Sequence, residues 1–284
     1  DLHKEYRRQR QMCIRDRRKS AIGSHEVRGR TLGIVGYGNI GAQISVLAEA
    51  LGLSVMYYDV ADKLPMGNAH RCDSLEELLQ SVDVVTVHVD GRADNKLLFG
   101  EQEFSMMRPR SLFLNLSRGH VVDVAALADN LRTGHLAGAA VDVYPSEPRS
   151  GDEPFVSELQ SLDNVILTPH VGGSTQEAQI DIGRYVAGKL IDYSERASTS
   201  MSVNLPDITT GATPGARIGH LHLNMPGIMA DLNRLVADHG GNVTYQALAT
   251  RGELGYTVLD IDETDRELLV DVTRLEGTIR ARVL

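Results

Sequence analysis

The sequence lacks the features that mark several common classes of protein. Only two of its 284 residues, Cys13 and Cys72, are cysteine, too few and too far apart for a disulfide framework or a metal site. No apolar run approaches the roughly 18 residues of a membrane span, and no signal-peptide pattern opens the chain. The net charge of −9 gives no reason to expect nucleic acid as a partner. These absences predict a soluble, globular, cytoplasmic protein with no metal, membrane or nucleic-acid partner.

The first residues differ from the rest of the chain. The stretch DLHKEYRRQRQMCIRDRRKS is dense in Arg and Gln and has no helical or strand period. Basic arms of this kind can bind nucleic acid, but RRQRQMCIRDR resembles a translated sequencing adapter. We therefore expect residues 1–17 to be a non-native or disordered head, and we exclude them from the fold prediction.

From Arg30 onward, short apolar strands alternate with helical patterns. The predicted strands are TLGIVGYG, SVMYYD, DVVTVHV, SLFLNLS, GAAVDVY and NVILTPHVGG. Ser74 followed by Glu77 predicts the capped start of one of the intervening helices. This alternation predicts an α/β domain over residues 18–172, with a Rossmann-type doubly wound parallel sheet.

The order of elements changes in the last quarter of the chain. A helix and a linker rich in Ser, Thr, Pro and Gly occupy residues 173–214. Strand and helix patterns then follow in the order βαββαβ over residues 215–284, which predicts a small ferredoxin-like domain.

Three glycines predict a dinucleotide site. Gly36, Gly38 and Gly41 form G-x-G-x-x-G between a strand and a helix, an arrangement suited to a tight turn, to close approach by a pyrophosphate and to close helix packing. Asp59 ends the next strand, near the expected spacing for an acid that accepts a ribose hydroxyl. No arginine follows Asp59 to receive a 2′-phosphate, and Lys63 is the nearest cation, so NAD is favoured over NADP.

Polar residues stand at the ends of three later predicted strands, where open parallel sheets bind ligands. They are Arg118, then Asp142 with Glu147, then His170. His170 suits proton transfer at a hydroxyl as hydride leaves, a carboxylate can orient its imidazole, and Arg118 can grip a substrate carboxylate. Taken singly, each has a simpler explanation as a loop, capping or surface residue, and spacing alone does not bring them together.

Four stretches, GIVGYGNIG, LNLSRGHVVD, GAAVDVYPSEP and LTPHVGGSTQEAQ, resemble signatures of the D-isomer-specific 2-hydroxyacid dehydrogenases. The βαββαβ tail, with HLHLNMPGIMADLN and GTIRARVL, resembles an ACT domain, a module that binds amino acids. The combination is most similar to the serine-inhibited bacterial branch of the family. That resemblance implies NAD-dependent oxidation of 3-phosphoglycerate to 3-phosphohydroxypyruvate, the first step of serine synthesis, in a homotetramer with L-serine as feedback inhibitor.

The resemblance also implies roles for particular residues. Arg118 would orient the substrate, and Glu147 and His170 would form the catalytic pair. The residues implied around NAD are Gly36, Gly38, Asn39, Ile40, Gly41, Asp59, Leu116, Ser117, Arg118, Asp142, His170, Val171, Gly172 and Gly173. Those implied around L-serine are His222, Asn224 and Asn242.

The sequence departs from the family in two places. The residues that form most of the substrate domain ahead of the dinucleotide domain are missing, so we expect an N-terminally truncated fragment. The helix from Ser174 to about Glu195 would then leave an apolar face partly uncovered. The segment Val89–Gly100 also differs from the proline-containing loop of the family.

Two other functions stay open. One is another NAD-dependent 2-hydroxyacid dehydrogenase of the glyoxylate or hydroxypyruvate reductase type, which the ACT tail disfavours. The other is a non-catalytic regulator that binds a dinucleotide or an amino acid, which the retained Arg118, Glu147 and His170 disfavour.

Overall fold

The computed structural model describes residues 25–148, 153–213, 215–262 and 266–284. The chain divides into two compact units, Asp1–Gly172 and Gly173–Leu284. The head expected over residues 1–17, with Cys13, lies outside the described residues. In the described part of the chain, no helix combines the length and the apolar character that crossing a membrane requires.

The first unit contains a seven-stranded parallel sheet in the order β3-β2-β1-β4-β5-β6-β7. Its strands are β1 (Thr31–Val35), β2 (Ser54–Tyr58), β3 (His70–Arg71), β4 (Val84–Val87), β5 (Leu112–Asn115), β6 (Gly138–Val141) and β7 (Val165–Leu167). The strand order reverses direction between β1 and β4, the switch point at which doubly wound folds bind ligands. The predicted fold class is confirmed. The edge strand β3 was not predicted, because two residues are too short to show a period.

Helices and short helical turns connect these strands. The helices are α1 (Asn39–Ala50), α2 (Leu75–Ser81), α3 (Glu101–Met106) and α4 (Val124–Arg132), and the 3₁₀ turns are Ala93–Asn95, Gly119–Val121 and Glu158–Ser161. The Ser74 hydroxyl accepts from the Glu77 amide, as predicted, while the Glu77 carboxylate accepts from the Asp73 amide one residue earlier than a standard capping box requires. Both contacts satisfy amides at the start of α2.

One row of paired residues crosses the sheet close to its carboxyl edge. The row consists of Tyr58, Val35, Val87, Asn115, Val141 and Leu167, on β2, β1, β4, β5, β6 and β7. Because the strands are parallel and in register, the residues that follow this row all leave the sheet at the same edge. A buried core that includes Phe99, Phe104 and Phe113, with ring centroids 5.0 to 5.8 Å apart, packs against the sheet.

The second unit contains a four-stranded antiparallel sheet in the order β11-β8-β10-β9. Its elements are α5 (Gln176–Arg196), β8 (Ala216–Leu223), α6 (Ile228–Asp238), β9 (Val243–Arg251), β10 (Leu254–Ile261), α7 (Arg266–Arg274) and β11 (Thr278–Val283). The βαββαβ prediction is confirmed. A core of buried Ile, Leu and Val side chains lies between this sheet and the helices α6 and α7.

Helix α5 exposes apolar side chains, as expected from the sequence. Ile180, Val186, Leu190 and Ile191 are each about half exposed or more, and none of the residues of α5 is buried. Such a stripe on a helix is typical of a surface that packs against something else.

The segment that follows α5 has no helix or strand in its described residues, but it is packed. The Thr199 hydroxyl donates to the carbonyl of Pro206 and accepts from the Ile208 amide. Ala197 and Ile208 are buried with Tyr256 in one apolar cluster. This segment, whose composition is typical of a linker, therefore forms a strap that packs on the four-stranded sheet.

A buried ion pair joins this strap to the sheet. The Arg217 guanidinium donates to both carboxylate oxygens of Asp260, at 2.6 and 2.7 Å, and both side chains are more than nine-tenths buried. The same guanidinium donates to the carbonyls of Arg196 and Gly211, at 2.8 and 2.6 Å. Four of the five guanidinium N–H groups therefore find acceptors inside the chain, which is the condition for a charge to be tolerated at such depth.

We expect Asp260→Ala to destabilise the second unit by about 3–5 kcal/mol, because it leaves the Arg217 charge buried without its partner. The matched control is Arg184→Ala, which breaks the exposed Arg184–Asp181 pair and is expected to cost less than about 1 kcal/mol. Hydrogen exchange of β8 and β10 amides under native conditions measures both. Equal effects of the two substitutions would show that the buried pair contributes no more than a surface one.

Candidate active site at the carboxyl edge of the parallel sheet

The turn after β1 requires two of its three glycines for packing. Gly36 has φ +92°, and a Cβ there would lie 2.7 Å from the His88 carbonyl oxygen. A Cβ on Gly41 would lie 2.3 Å from the Gly36 carbonyl oxygen. Around Gly38, by contrast, no atom lies within 4 Å of an added Cβ. The turn is therefore closed against the protein and open at Gly38, as a cradle for a pyrophosphate must be.

The start of α1 fits the same ligand. Gly38 is its N-cap, no side chain caps it, and its first turn carries no acid. Gly38, Asn39 and Ile40 are exposed. Uncapped amides at a helix N-terminus attract anions, so this end of α1 suits a phosphate group.

Asp59 follows β2 beside this turn. Its carboxylate accepts hydrogen bonds from the amides of Tyr37 and Ala61, at 2.7 and 2.8 Å. A carboxylate has about four acceptor positions, so two remain for hydroxyls of a ligand. The glycine turn, the helix start and Asp59 together fit a dinucleotide.

The segment after β5 is fixed by Asn115. This buried amide accepts from the Ser117 amide and hydroxyl, at 3.0 and 2.9 Å, and donates to the Arg118 carbonyl at 3.1 Å. Leu116 is about half exposed, and the Arg118 side chain is exposed, with its guanidinium donating to the Ser117 carbonyl. Asn115 itself was not among the predicted site residues, although it stands in the predicted strand.

Asp142 joins β6 to the segment after β7. It is buried, and its carboxylate accepts from the Thr168 hydroxyl at 2.5 Å and from the His170 amide at 3.1 Å. His170 has φ +54°, a left-handed conformation that costs energy for a residue with a side chain. The bond from Asp142 stabilises this conformation. The following residues, Val171, Gly172 and Gly173, are exposed.

Glu147 and His170 form a hydrogen-bonded pair. The imidazole Nδ1 lies 2.9 and 3.0 Å from the two carboxylate oxygens, and the Tyr144 amide donates to the same carboxylate at 3.0 Å. Partial burial raises the pKa of Glu147, but the hydrogen bonds from His170 and Tyr144 outweigh it, so this pKa lies below its ordinary value. An ionised carboxylate only accepts, so Nδ1 carries a proton and Nε2 is left for a substrate.

The structure brings Glu147 and His170 into contact, but it does not place Arg118 against them. Arg118 follows β5, one strand from β6 and two from β7 at the same edge. His88 was not among the predicted site residues. It falls inside the predicted strand DVVTVHV, whereas in the structure it follows the last residue of β4. It is partly buried, its Nε2 lies 2.9 Å from the Thr86 hydroxyl, and burial lowers its pKa to about 4. Because the predicted strand ran past His88, no strand-end signal marked it.

The residues implied around L-serine are separated within one chain. Asn224 lies by the turn between β9 and β10, where its amide side chain donates to the Gly252 carbonyl at 3.3 Å. Asn242 lies at the other end of β10, where its backbone amide donates to the Asp262 carboxylate at 2.8 Å. A strand of this length spans roughly 25 Å. His222 and Asn224 therefore share one end of the sheet, and Asn242 lies at the opposite end.

His222 is held more tightly than an exposed ligand-binding residue. It is 1% exposed, its Nδ1 lies 2.8 Å from the Leu223 carbonyl, and its Nε2 lies 3.0 Å from the Thr257 hydroxyl. Gly255 pairs with it across the strands, and a Cβ there would lie 2.2 Å from the imidazole. The ring therefore packs directly against Gly255, where no side chain larger than glycine fits.

Each of the two units matches a known protein family model. Residues 1–172 match the D-isomer specific 2-hydroxyacid dehydrogenase, NAD binding domain. Residues 218–280 match the AHAS small subunit-like ACT domain. The chain belongs to the D-isomer-specific 2-hydroxyacid dehydrogenase family. Its first unit is an NAD-binding domain, and its second contains an ACT domain.

Individual relatives cover nearly all of the chain. D-3-phosphoglycerate dehydrogenase of Escherichia coli (strain K12) is 48% identical over 269 residues, 94% of this chain and 66% of that protein. The D-3-phosphoglycerate dehydrogenase of Dictyostelium discoideum is 45% identical over 269 residues, with the same coverage. The apo structure of Rhodotorula graminis D-mandelate dehydrogenase matches with a TM-score of 0.55 and 31% identity, over 68% of this chain and 54% of that one. The chain spans about two thirds of the length of its curated relatives.

We expect Gly41→Ala to affect mainly the stability of the first unit and Gly38→Ala mainly its binding of NADH. Alanine normally favours a helix over glycine by about 1 kcal/mol, but the contact with the Gly36 carbonyl forces a shift, so Gly41→Ala should destabilise the first unit by about 1–3 kcal/mol. Gly38→Ala places alanine at the N-cap of α1, so it should cost about 1 kcal/mol or less of stability and weaken NADH binding about tenfold or more. Urea unfolding and NADH titration measure the two quantities. A loss of stability in Gly38→Ala as large as that in Gly41→Ala would contradict the open cradle.

We expect His170→Ala to raise the pKa of Glu147, because it removes the imidazole hydrogen bond that lowers it. The control is Tyr144→Phe, which retains the backbone amide bonded to Glu147 and should leave that pKa low. Carbon-13 NMR titration of the Glu147 carboxyl measures both variants. An unchanged Glu147 pKa in His170→Ala would show that the pair does not form in solution.

Proposed function

We propose that this chain comes from a dehydrogenase that oxidises 3-phospho-D-glycerate to 3-phosphohydroxypyruvate with NAD. The observation that carries the proposal is the Glu147–His170 pair, held at the same sheet edge as the glycine turn and Asp59. The names of the relatives in Escherichia coli and Dictyostelium discoideum support this substrate, as does the ACT domain.

In this proposal His170 is the acid–base group. NAD, when bound, supplies the acceptor for the hydride. The Nε2 of His170 takes the proton of the substrate hydroxyl as the C–H bond breaks, and returns it in the reverse reaction. Glu147 holds Nδ1–H, fixes the ring with Nε2 outward and stabilises the imidazolium that forms.

Arg118 completes the proposed site by orienting the substrate. Its exposed guanidinium can form paired hydrogen bonds with the carboxylate next to the reacting carbon. The residues proposed to hold NAD are those after the row, Gly36, Gly38, Asn39, Ile40, Gly41, Asp59, Leu116, Ser117, Arg118, Asp142 and His170–Gly173.

We also propose that L-serine binds the ACT domain as a feedback inhibitor and that the protein is a cytoplasmic homotetramer. His222 with Asn224, and Asn242, lie at opposite ends of β10, so one chain cannot surround a single serine with all three. Two ACT domains related by a two-fold axis can bring the His222 end of one sheet beside the Asn242 end of the other. Strands β9 and β11 form the two edges of the sheet in the described residues, and such edges suit this pairing.

Calorimetric titration with L-serine tests the proposed identity, because residues 218–280 of this chain match an ACT domain. We expect saturable binding that glycine and D-serine do not reproduce, and that Asn224→Ala abolishes. The matched control is Asn68→Ala, an exposed asparagine in the first unit, which should leave binding unchanged.

Absence of L-serine binding to a folded, oligomeric chain would refute the serine-pathway assignment. The second candidate, a glyoxylate or hydroxypyruvate reductase type of dehydrogenase, would then be tested by NADH oxidation with glyoxylate. Activity with glyoxylate or with 3-phosphohydroxypyruvate that His170→Ala does not remove would contradict the role of His170.

A further inference from the structure

Tyr37, the residue between Gly36 and Gly38, touches the proposed cofactor site through its backbone only. Its amide donates to the Asp59 carboxylate at 2.7 Å. Its side chain points into the protein, is 3% exposed, and stacks on the ring of Tyr57 with centroids 3.8 Å apart and planes 21° apart. Both rings belong to the apolar core beneath α1.

The Tyr37 hydroxyl lies in a hydrogen-bond chain whose direction is determined. The Ser45 hydroxyl donates to the Ala42 carbonyl at 2.8 Å, so across the 2.7 Å contact Tyr37 must donate to Ser45. The Tyr37 oxygen in turn accepts from the Met66 amide at 3.2 Å. The chain therefore links the first turns of α1 to the segment that follows Asp59.

Tyr57 holds the same segment at a second point. Its buried hydroxyl donates to the Lys63 carbonyl at 2.6 Å. Burial, with a smaller contribution from Tyr37, raises the pKa of the Tyr57 hydroxyl, so it remains a donor. All side chains of residues 60–66 are exposed, and the two tyrosine hydroxyls attach their backbone to the protein interior.

We propose that Tyr37 and Tyr57 form a tyrosine clamp that determines selectivity for NAD over NADP. The proposal rests on the proposed role of Asp59 as the group that accepts the ribose hydroxyls. A 2′-phosphate at that place meets the Asp59 charge, so selectivity depends on how firmly this carboxylate is held at the ribose. The clamp fixes the backbone of residues 60–66, which includes the Ala61 amide that donates to Asp59. The Tyr37 amide donates to the same carboxylate, so the clamp keeps the Asp59 charge in place.

The test is the affinity of the chain for NADH and NADPH in Tyr57→Phe, measured by calorimetry. This substitution removes one hydroxyl and retains the stacked ring. We expect weaker NADH binding and relatively stronger NADPH binding. The ratio of the Kd for NADPH to the Kd for NADH should therefore fall roughly three- to tenfold. Tyr58→Phe is the matched control, because the described residues offer the Tyr58 hydroxyl no hydrogen bond, and its ratio should not change.

A second variant and a second readout keep the test decisive. Tyr37→Phe frees the Met66 amide, so it should lower the same ratio and speed hydrogen exchange in residues 60–66. Ratios within twofold of the wild type in both tyrosine variants, with Asp59→Asn lowering the ratio, would overturn the clamp alone. An unchanged ratio in Asp59→Asn would instead overturn the role of Asp59 on which the clamp rests.

Discussion

The parallel register of six strands is the constraint on which the proposed site depends. The row that contains Val35, Val87 and Asn115 ends the strands at one edge, so residues far apart in sequence emerge side by side. The glycine turn, Asp59, Ser117, Asp142 and His170 all follow this row within a few residues. A register shift of one residue in β6 or β7 would move the side chains of that strand to the opposite face and separate the Glu147–His170 pair.

Most of the fold could be predicted from the sequence, because apolar runs alternate with helical periods and carry clear starts and stops. Ser74 with Glu77 predicted the start of α2, and the change to βαββαβ predicted the second unit. The elements that escaped prediction, β3 and α3, are too short for periodicity. The strap after α5 escaped for another reason: its Ser and Thr side chains, typical of loops, satisfy its own backbone and let it pack.

The site divides in the same way. Strand-end positions alone pointed to Arg118, Asp142, Glu147 and His170, but only the folded chain brings Glu147 against His170, and it leaves Arg118 apart from them. His88 was missed because the predicted strand DVVTVHV runs past it, whereas the observed strand ends at Val87. The residues implied around L-serine came from resemblance alone, and sequence could not show that β10 separates Asn242 from Asn224, because that depends on strand pairing.

The most direct test of this account is hydrogen exchange of the chain with and without saturating NADH. The account predicts slower exchange after the row, in residues 36–42, 59–61, 115–119 and 168–173. It predicts no change at the opposite edge of the sheet, where a groove of about 500 Å³ is lined by Glu49, Ser54 and His70. Slower exchange at that groove, with none after the row, would contradict the claim that the register builds the cofactor site.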